Sequence, residues 1–237
     1  MKDLSWIKNR NFAHRGLHDV QHPENTISAF KNAVNHNYDI ELDIHLTLDK
    51  KIVVVHDHNL KRLCNVDINV EKSTYQELKE LTIQNTLERI PLLVEVLDML
   101  PVSTHLLIEL KTSKNNKLFV SIFLDIMKKY NHTYAMHSFD PRIVNQFKKQ
   151  DDTVIRGIIS QNYKRKTPMF YGLKTLKLNF WYKPDFVNYN IKDLPNKYLD
   201  NLYNNGMCIV SFTAQSKTEL EYVRSRYDNA VFENFKI

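Results

Sequence analysis

The feature that most constrains this chain is an alternation of two kinds of segment. Short apolar runs suited to strands, at 11–14, 40–44, 52–55, 105–110, 133–137, 153–159, 185–190, 207–212 and 229–232, are separated by amphipathic stretches suited to helices, at 25–36, 73–81, 92–100, 116–130, 140–150, 194–204 and 216–226. Strands that each return through a helix form a parallel sheet, so the fold class expected is α/β. The length of 237 residues is close to the ~250 typical of an eightfold barrel, which makes a closed (β/α)8 TIM barrel the first expectation and a doubly wound open sheet the second. Nine apolar runs are one too many for eight barrel strands. The segment 52–55 is therefore expected to be an excursion near the top of the barrel.

Composition narrows the function classes. An apolar fraction of 43 % with 11 % aromatics is enough for a packed core. The start, MKDLSWIKNRN, has no apolar stretch of the ~7 to 15 residues that a secretory signal needs, and no segment approaches the ~20 apolar residues of a membrane span. A cytoplasmic protein without a membrane anchor is expected. The two cysteines, Cys64 and Cys208, have no CxxC spacing and form neither a disulfide framework nor a thiolate zinc site. With only four glycines, no GxGxxG or P-loop pattern can be written. The formal charge of +6 suits a small anionic substrate. Because the basic residues are spread along the chain, no nucleic-acid partner is expected. The oligomeric state is not readable.

Chemistry-bearing residues gather at strand ends. The first strand ends in His14-Arg15, and the loop that follows runs about eight residues to PENT, where Asn25 or Thr26 is placed to cap a helix. In the second strand Glu41 and Asp43 share one face, their attachment points ~7 Å apart, while Ile40, Leu42 and Ile44 take the other. LLIELK likewise puts Glu109 and Lys111 on one face. Helix-covered parallel strands should be apolar on both faces, so the charged faces indicate a polar site. Three carboxylates, Glu41, Asp43 and Glu109, are hard oxygen ligands for one divalent cation, Mg²⁺, Ca²⁺ or Mn²⁺, which also relieves their mutual repulsion. His14 and His56, each closing a strand-like run, offer an acid and a base near neutral pH, and Arg15 and Lys111 supply fixed positive charge for a phosphate. The other eight histidines show no such pattern.

HRG at 14–16, PENT at 23–26, IELD at 40–43, T-x-D at 47–49, VVxHD at 54–57, L-x-R at 60–62, IPLLVEVL at 90–97, IELK at 108–111 and SFDP at 138–141 together resemble the glycerophosphodiester phosphodiesterase family. The likeness is dense over the first 141 residues. It implies a single barrel domain over 1–237 with a small insertion roughly within 57–89, a divalent cation on Glu41, Asp43 and Glu109, an acid–base pair of His14 and His56, and Arg15 and Lys111 on the phosphoryl oxygens. The implied reaction hydrolyses a glycerophosphodiester to sn-glycerol 3-phosphate and an alcohol. Toward the C-terminus the likeness thins: the family's Trp-Thr-Val-Asn is Phe212-Thr213-Ala214-Gln215 here, which leaves Phe212 as the apolar wall for the alcohol. A lysophospholipase D-like enzyme and a catalytically silent phosphate-binding barrel are the alternative readings.

Overall fold

The computed structural model describes residues 2–84, 86–165 and 167–237. Its elements run α1 (Ser5–Asn9), β1 (Phe12–His14), α2 (Ile27–Asn35), β2 (Asp39–Leu46), β3 (Ile52–Val54), α3 (Lys61–Cys64), α4 (Tyr75–Leu78), α5 (Leu93–Met99), β4 (Leu106–Leu110) and α6 (Asn116–Met127). They continue as β5 (Tyr134–Ser138), α7 (Pro141–Gln150), β6 (Ile155–Ser160), α8 (Pro168–Lys174), α9 (Asn179–Tyr182), β7 (Phe186–Asn190), α10 (Lys197–Asn204), β8 (Cys208–Ala214), α11 (Lys217–Arg226) and β9 (Asn229–Phe232). Two compact units emerge, Phe12–Tyr134 and Met1–Asn11 with Ala135–Ile237.

In the first unit β1 pairs parallel with β2, setting His14 beside Glu41, and β2 pairs parallel with β4, setting Asp43 beside Glu109. Every residue of β2 is buried. Its even positions, Ile40, Leu42 and Ile44, are wholly enclosed, which commits the odd positions 39, 41, 43 and 45 to the opposite face. The surplus apolar run is the antiparallel strand β3, with Leu46 opposite Ile52. The turn between them explains the T-x-D pattern: the Thr47 hydroxyl donates to Asp49 Oδ1 at 2.6 Å, and Lys50 takes a left-handed φ of 63°. From β3 onward the chain builds an apolar cluster from Val53, Val55, Leu60, Leu63, Val70, Leu78, Ile83 and Ile90. Each such side chain contributes ~1.5–3 kcal/mol by leaving water, which holds together a stretch with little regular structure.

The second unit carries the parallel run β5, β6, β7, β8 and β9, with His137 beside Gly157, Gly157 beside Phe186 and Val187 beside Ile209. Gly157 is required because a Cβ there would lie 2.3 Å from the Phe186 ring. SFDP is a helix start: Asp140 accepts the Arg142 backbone N–H at 2.9 Å, and Pro141 takes the first helical position. Asn229 docks α1 by donating to the carbonyls of Ile7 and Arg10 at 2.8 and 2.7 Å. Among the described residues, β1, β2 and β4 to β9 are the parallel strands, and they alternate with helices along the chain. No described helix is long and apolar enough to cross a membrane.

Candidate active site

The HRG and PENT stretches are two halves of one local structure. Arg15 and Gly16 both take left-handed φ values, 58° and 79°, which turn the chain sharply off β1. A Cβ on Gly16 would lie 2.8 Å from the Ala29 backbone, so only glycine lets this turn sit against α2. Thr26, not Asn25, caps α2 through the Ala29 N–H. That frees Asn25, itself left-handed at φ 58°, to clamp Asp43: its amide donates to Oδ2 at 2.9 Å, and its carbonyl oxygen accepts the Asp43 N–H at 3.2 Å. The Arg15 backbone N–H donates to Glu41 Oε2 at 3.1 Å.

Glu41, Asp43 and Glu109 meet as the strand alternation requires, each turning one oxygen to a place where the three lie within 4.8 Å of one another. All three carboxylates are buried. Lys111, also buried, holds its Nζ 2.6 Å from Glu109 Oε1 and 2.7 Å from Asp43 Oδ1. Arg15 Nε lies 3.2 Å from Asp43 Oδ2. Burial alone would raise the Asp43 pKa, but the Lys111 ammonium, then Arg15, then His56 and His14 outweigh it and hold this carboxyl well below the usual range. Burial pulls Lys111 down, and Asp43 and Glu109 more than restore it, so it stays an ammonium.

The two histidines are held differently. His14 Nε2 lies 3.9 Å from Glu41 Oε2. His56 Nδ1 is 2.7 Å from Asp57 Oδ1, and since a carboxylate only accepts, Nδ1 carries a proton and Nε2 is the ring nitrogen left to exchange one. Asp57 is held in turn by Arg62, whose Nε donates to Oδ2 at 2.8 Å and Nη2 to Oδ1 at 3.0 Å. The same guanidinium forks onto Glu24 with two bonds of 2.8 Å, and Glu24 Oε1 accepts from Arg15 Nη1 at 2.7 Å. A continuous chain of charge-assisted hydrogen bonds therefore runs from His56 through Asp57, Arg62 and Glu24 to Arg15, which stands beside Asp43 as an ion pair without an aligned hydrogen bond. Burial would raise Glu24, but the bonds from Arg62 and the charge of Arg15 leave its pKa lowered.

Seven of the eight residues expected from sequence, His14, Arg15, Glu41, Asp43, His56, Glu109 and Lys111, thus fall in one unit and are linked by these contacts. Phe212 lies on β8 in the other unit, edge-on to Phe139 with ring centroids 5.7 Å apart. Sequence reasoning missed four supports: Glu24, Asp57, Arg62 and His45. His45 is buried on the same β2 face as Glu41 and Asp43, a position that the period of two already marked. Its Nε2–H donates to the His56 carbonyl at 3.1 Å, its ring meets that of His58 edge-on at 4.6 Å, and burial pushes its pKa down to about 3, so it is neutral. The other three sit inside motifs whose side-chain partners are up to 38 positions apart.

The donor set fits a hard divalent cation. Three buried carboxylate oxygens converge, and Asp43 Oδ1 has no aligned hydrogen-bond donor despite the nearby ammonium. With cationic Lys111 and Arg15 beside them and the His56 Nε2 not taken up by Asp57, the group is equipped to hold an oxyanion and move protons.

Comparison with known proteins agrees. The glycerophosphoryl diester phosphodiesterase family model matches residues 14–232. The human lysophospholipase D GDPD1 is 34 % identical over 138 residues, 53 % of this chain and 43 % of that protein. The Bacillus subtilis protein YhdW is 31 % identical over 217 residues, 86 % of each chain. The matched region spans about half the length of the first curated relatives. A phosphodiesterase from Oleispira antarctica, solved with the product sn-glycerol-3-phosphate, superposes with a TM-score of 0.83 over 98 % of this chain and 95 % of its own, at 19 % identity. The fold is a (β/α)8 barrel. With its motifs tied together in three dimensions and its sequence matched from His14 to Phe232, the chain belongs to the glycerophosphoryl diester phosphodiesterase family.

Proposed function

We propose that the protein hydrolyses a glycerophosphodiester to sn-glycerol 3-phosphate and an alcohol, using one divalent cation, within one barrel domain that carries a small insertion. The observation that carries the reading is the convergence of Glu41, Asp43 and Glu109 beside Lys111 and Arg15. The product seen with the Oleispira phosphodiesterase supports the substrate class. Mg²⁺, Ca²⁺ or Mn²⁺ on the three carboxylates would supply Lewis-acid stabilisation of charge on the phosphoryl group. Lys111 and Arg15 orient that group by charge. His56, its Nδ1–H held by the hydrogen bond it donates to Asp57, accepts a proton at Nε2 from the attacking hydroxyl, and His14 is the other proton-transfer group. The phosphorus–oxygen bond to the alcohol breaks, the alkoxide takes a proton, and the elements of water are added across the bond. Phe212 is proposed as an apolar wall for the alcohol. The cytoplasm is the proposed compartment, in keeping with the two free cysteines.

The name of the human relative favours a second reading on the same scaffold, release of the head group from a lysophospholipid. One assay separates them. The purified protein is offered glycerophosphocholine and lysophosphatidylcholine, with free choline as the readout and Glu109→Gln as control. Faster choline release from glycerophosphocholine is expected. Preference for the lysolipid installs the second reading, and equal background rates for parent and control leave only a silent phosphate-binding barrel.

A further inference from the structure

Between β6 and β7 the chain departs from its average character. From Gln161 to Pro184 there is no acidic residue, while six basic ones occur, at 164, 165, 166, 174, 177 and 183. Within the same stretch Met169, Tyr171, Phe180 and Trp181 stand 64, 51, 63 and 63 % exposed. Single exposed apolar residues need no explanation, but four large ones on two short consecutive helices amount to a patch.

The patch is built on anchored elements. Gly172 and Leu173 of α8 are buried, and a Cβ on Gly172 would come 2.7 Å from Leu178, so helix and following turn are closely packed. Tyr182 anchors α9, and Lys148 of α7 donates to the Trp181 carbonyl at 2.8 Å. With the backbone fixed, Phe180 and Trp181 are held outward as a pair, ring centroids 5.2 Å apart. Cations flank the rings: the Arg165 guanidinium lies 5.4 Å from the Phe170 centroid, and Lys177 Nζ 5.6 Å from that of Tyr171. Beside them is a groove of about 420 Å³, lined by Pro141, Arg142, Asn145, Met169, Leu178 and Trp181 among others.

We propose that α8, α9 and the loops around them form a docking surface for a bilayer rich in anionic phospholipid. Trp and Phe settle at the headgroup boundary, where an amphipathic ring has both an apolar and a wet side. Lys and Arg beside them meet lipid phosphates. The charge of the stretch is complementary to an anionic surface and repels a second copy of itself. Nucleic acid would satisfy the charge but leaves Met169 and the apolar groove without a purpose. The inference concerns where the protein works and is independent of what it cleaves.

The test uses the full chain. Trp6 and Trp181 are its two tryptophans, so Trp6→Phe makes Trp181 the sole fluorescent reporter. Vesicles of phosphatidylcholine, alone or with ~30 mol % phosphatidylglycerol, are titrated in at low salt, where an anionic surface still attracts Lys and Arg. A blue shift and protection from iodide are expected on the anionic vesicles alone. Each basic residue near such a surface is worth about fivefold in partition, so Lys174→Glu with Lys177→Glu should lower sedimentation with vesicles by more than ~25-fold. Phe180→Ser with Trp181→Ser should also release the protein, while turnover of soluble glycerophosphocholine stays at the parent value. Sedimentation of the parent chain gives the answer if Trp6→Phe misfolds. Unshifted Trp181 emission, vesicle binding indifferent to these variants, or equal protection of Trp181 by a short oligonucleotide overturns the proposal.

Discussion

Lys111→Met removes an ammonium that touches both Asp43 and Glu109, at 2.7 and 2.6 Å, and keeps an unbranched side chain only one atom shorter. All the groups involved are buried, so solvent screens little of the loss. Removing one partner from a buried ion cluster costs ~3–5 kcal/mol, because the carboxylates left behind stay desolvated and uncompensated. Unfolding entropy of ~2.1 cal/mol/K per residue over 237 residues gives about 0.5 kcal/mol per degree. Without divalent cation the melting temperature should fall by about 6–10 °C. Saturating Mg²⁺ or Mn²⁺ should restore part of that, since a cation on the three carboxylates answers the same excess of negative charge. The kcat/KM for glycerophosphocholine should stay depressed in the presence of cation, as the phosphoryl group loses a fixed charge. Thermal melts with and without cation, paired with choline release, make the assay. An unchanged melting temperature and kcat/KM would refute the placement of Lys111 at the centre of the site.

Other expectations follow from the same geometry. His14→Ala and His56→Ala should each lower kcat by roughly 10²- to 10⁴-fold with smaller effects on KM, and the double variant should fall well short of the product; His18→Ala and His22→Ala should cost far less. Equal loss in all four would mean the histidine roles are misassigned. Arg62→Lys keeps the charge but cannot reproduce the planar fork that makes two bonds to Asp57 and two to Glu24, so kcat should fall while added guanidinium restores part of it in Arg62→Ala; absence of any rescue would count against the bonded chain from His56 to Arg15. Glu24 and Asp57 have folded pKa values below their ordinary 4.5 and 3.8. Their contribution to stability is therefore fully present above those values and is lost as pH falls below them, so Glu24→Gln should flatten the acid limb of a melting profile on the acid side of the ordinary glutamate value. An acid limb of unchanged slope would remove Glu24 from that account.

The residues that could be read in advance are those governed by short periods. Alternation along β2 and β4 puts Glu41, Asp43, Glu109 and Lys111 on common faces, and the geometry of a strand needs nothing else. The same alternation marks His45, which lies one residue beyond the apolar run 40–44 but inside β2. The turn at Arg15-Gly16 was visible as a loop, but the reason for the glycine, the Ala29 backbone 2.8 Å from its missing Cβ, belongs to packing. Arg62 is harder still. Its two partners are 5 and 38 positions away, and only the apolar cluster around Leu60 and Leu63 brings it to them. The helices α8 and α9, of 7 and 4 residues, are too short to show a helical period in the sequence.

The central claim is that Glu41, Asp43 and Glu109 hold one divalent cation on which phosphodiester hydrolysis depends. It is tested most directly by titrating Mn²⁺ into exhaustively chelated protein while cation binding and glycerophosphocholine turnover are followed on the same sample. The account predicts that activity rises from background in step with occupancy of one site per chain, and that Glu109→Gln, still folded by circular dichroism, loses both together. Full turnover in the chelated protein, or a Glu109→Gln chain that binds and turns over like the parent, would contradict it.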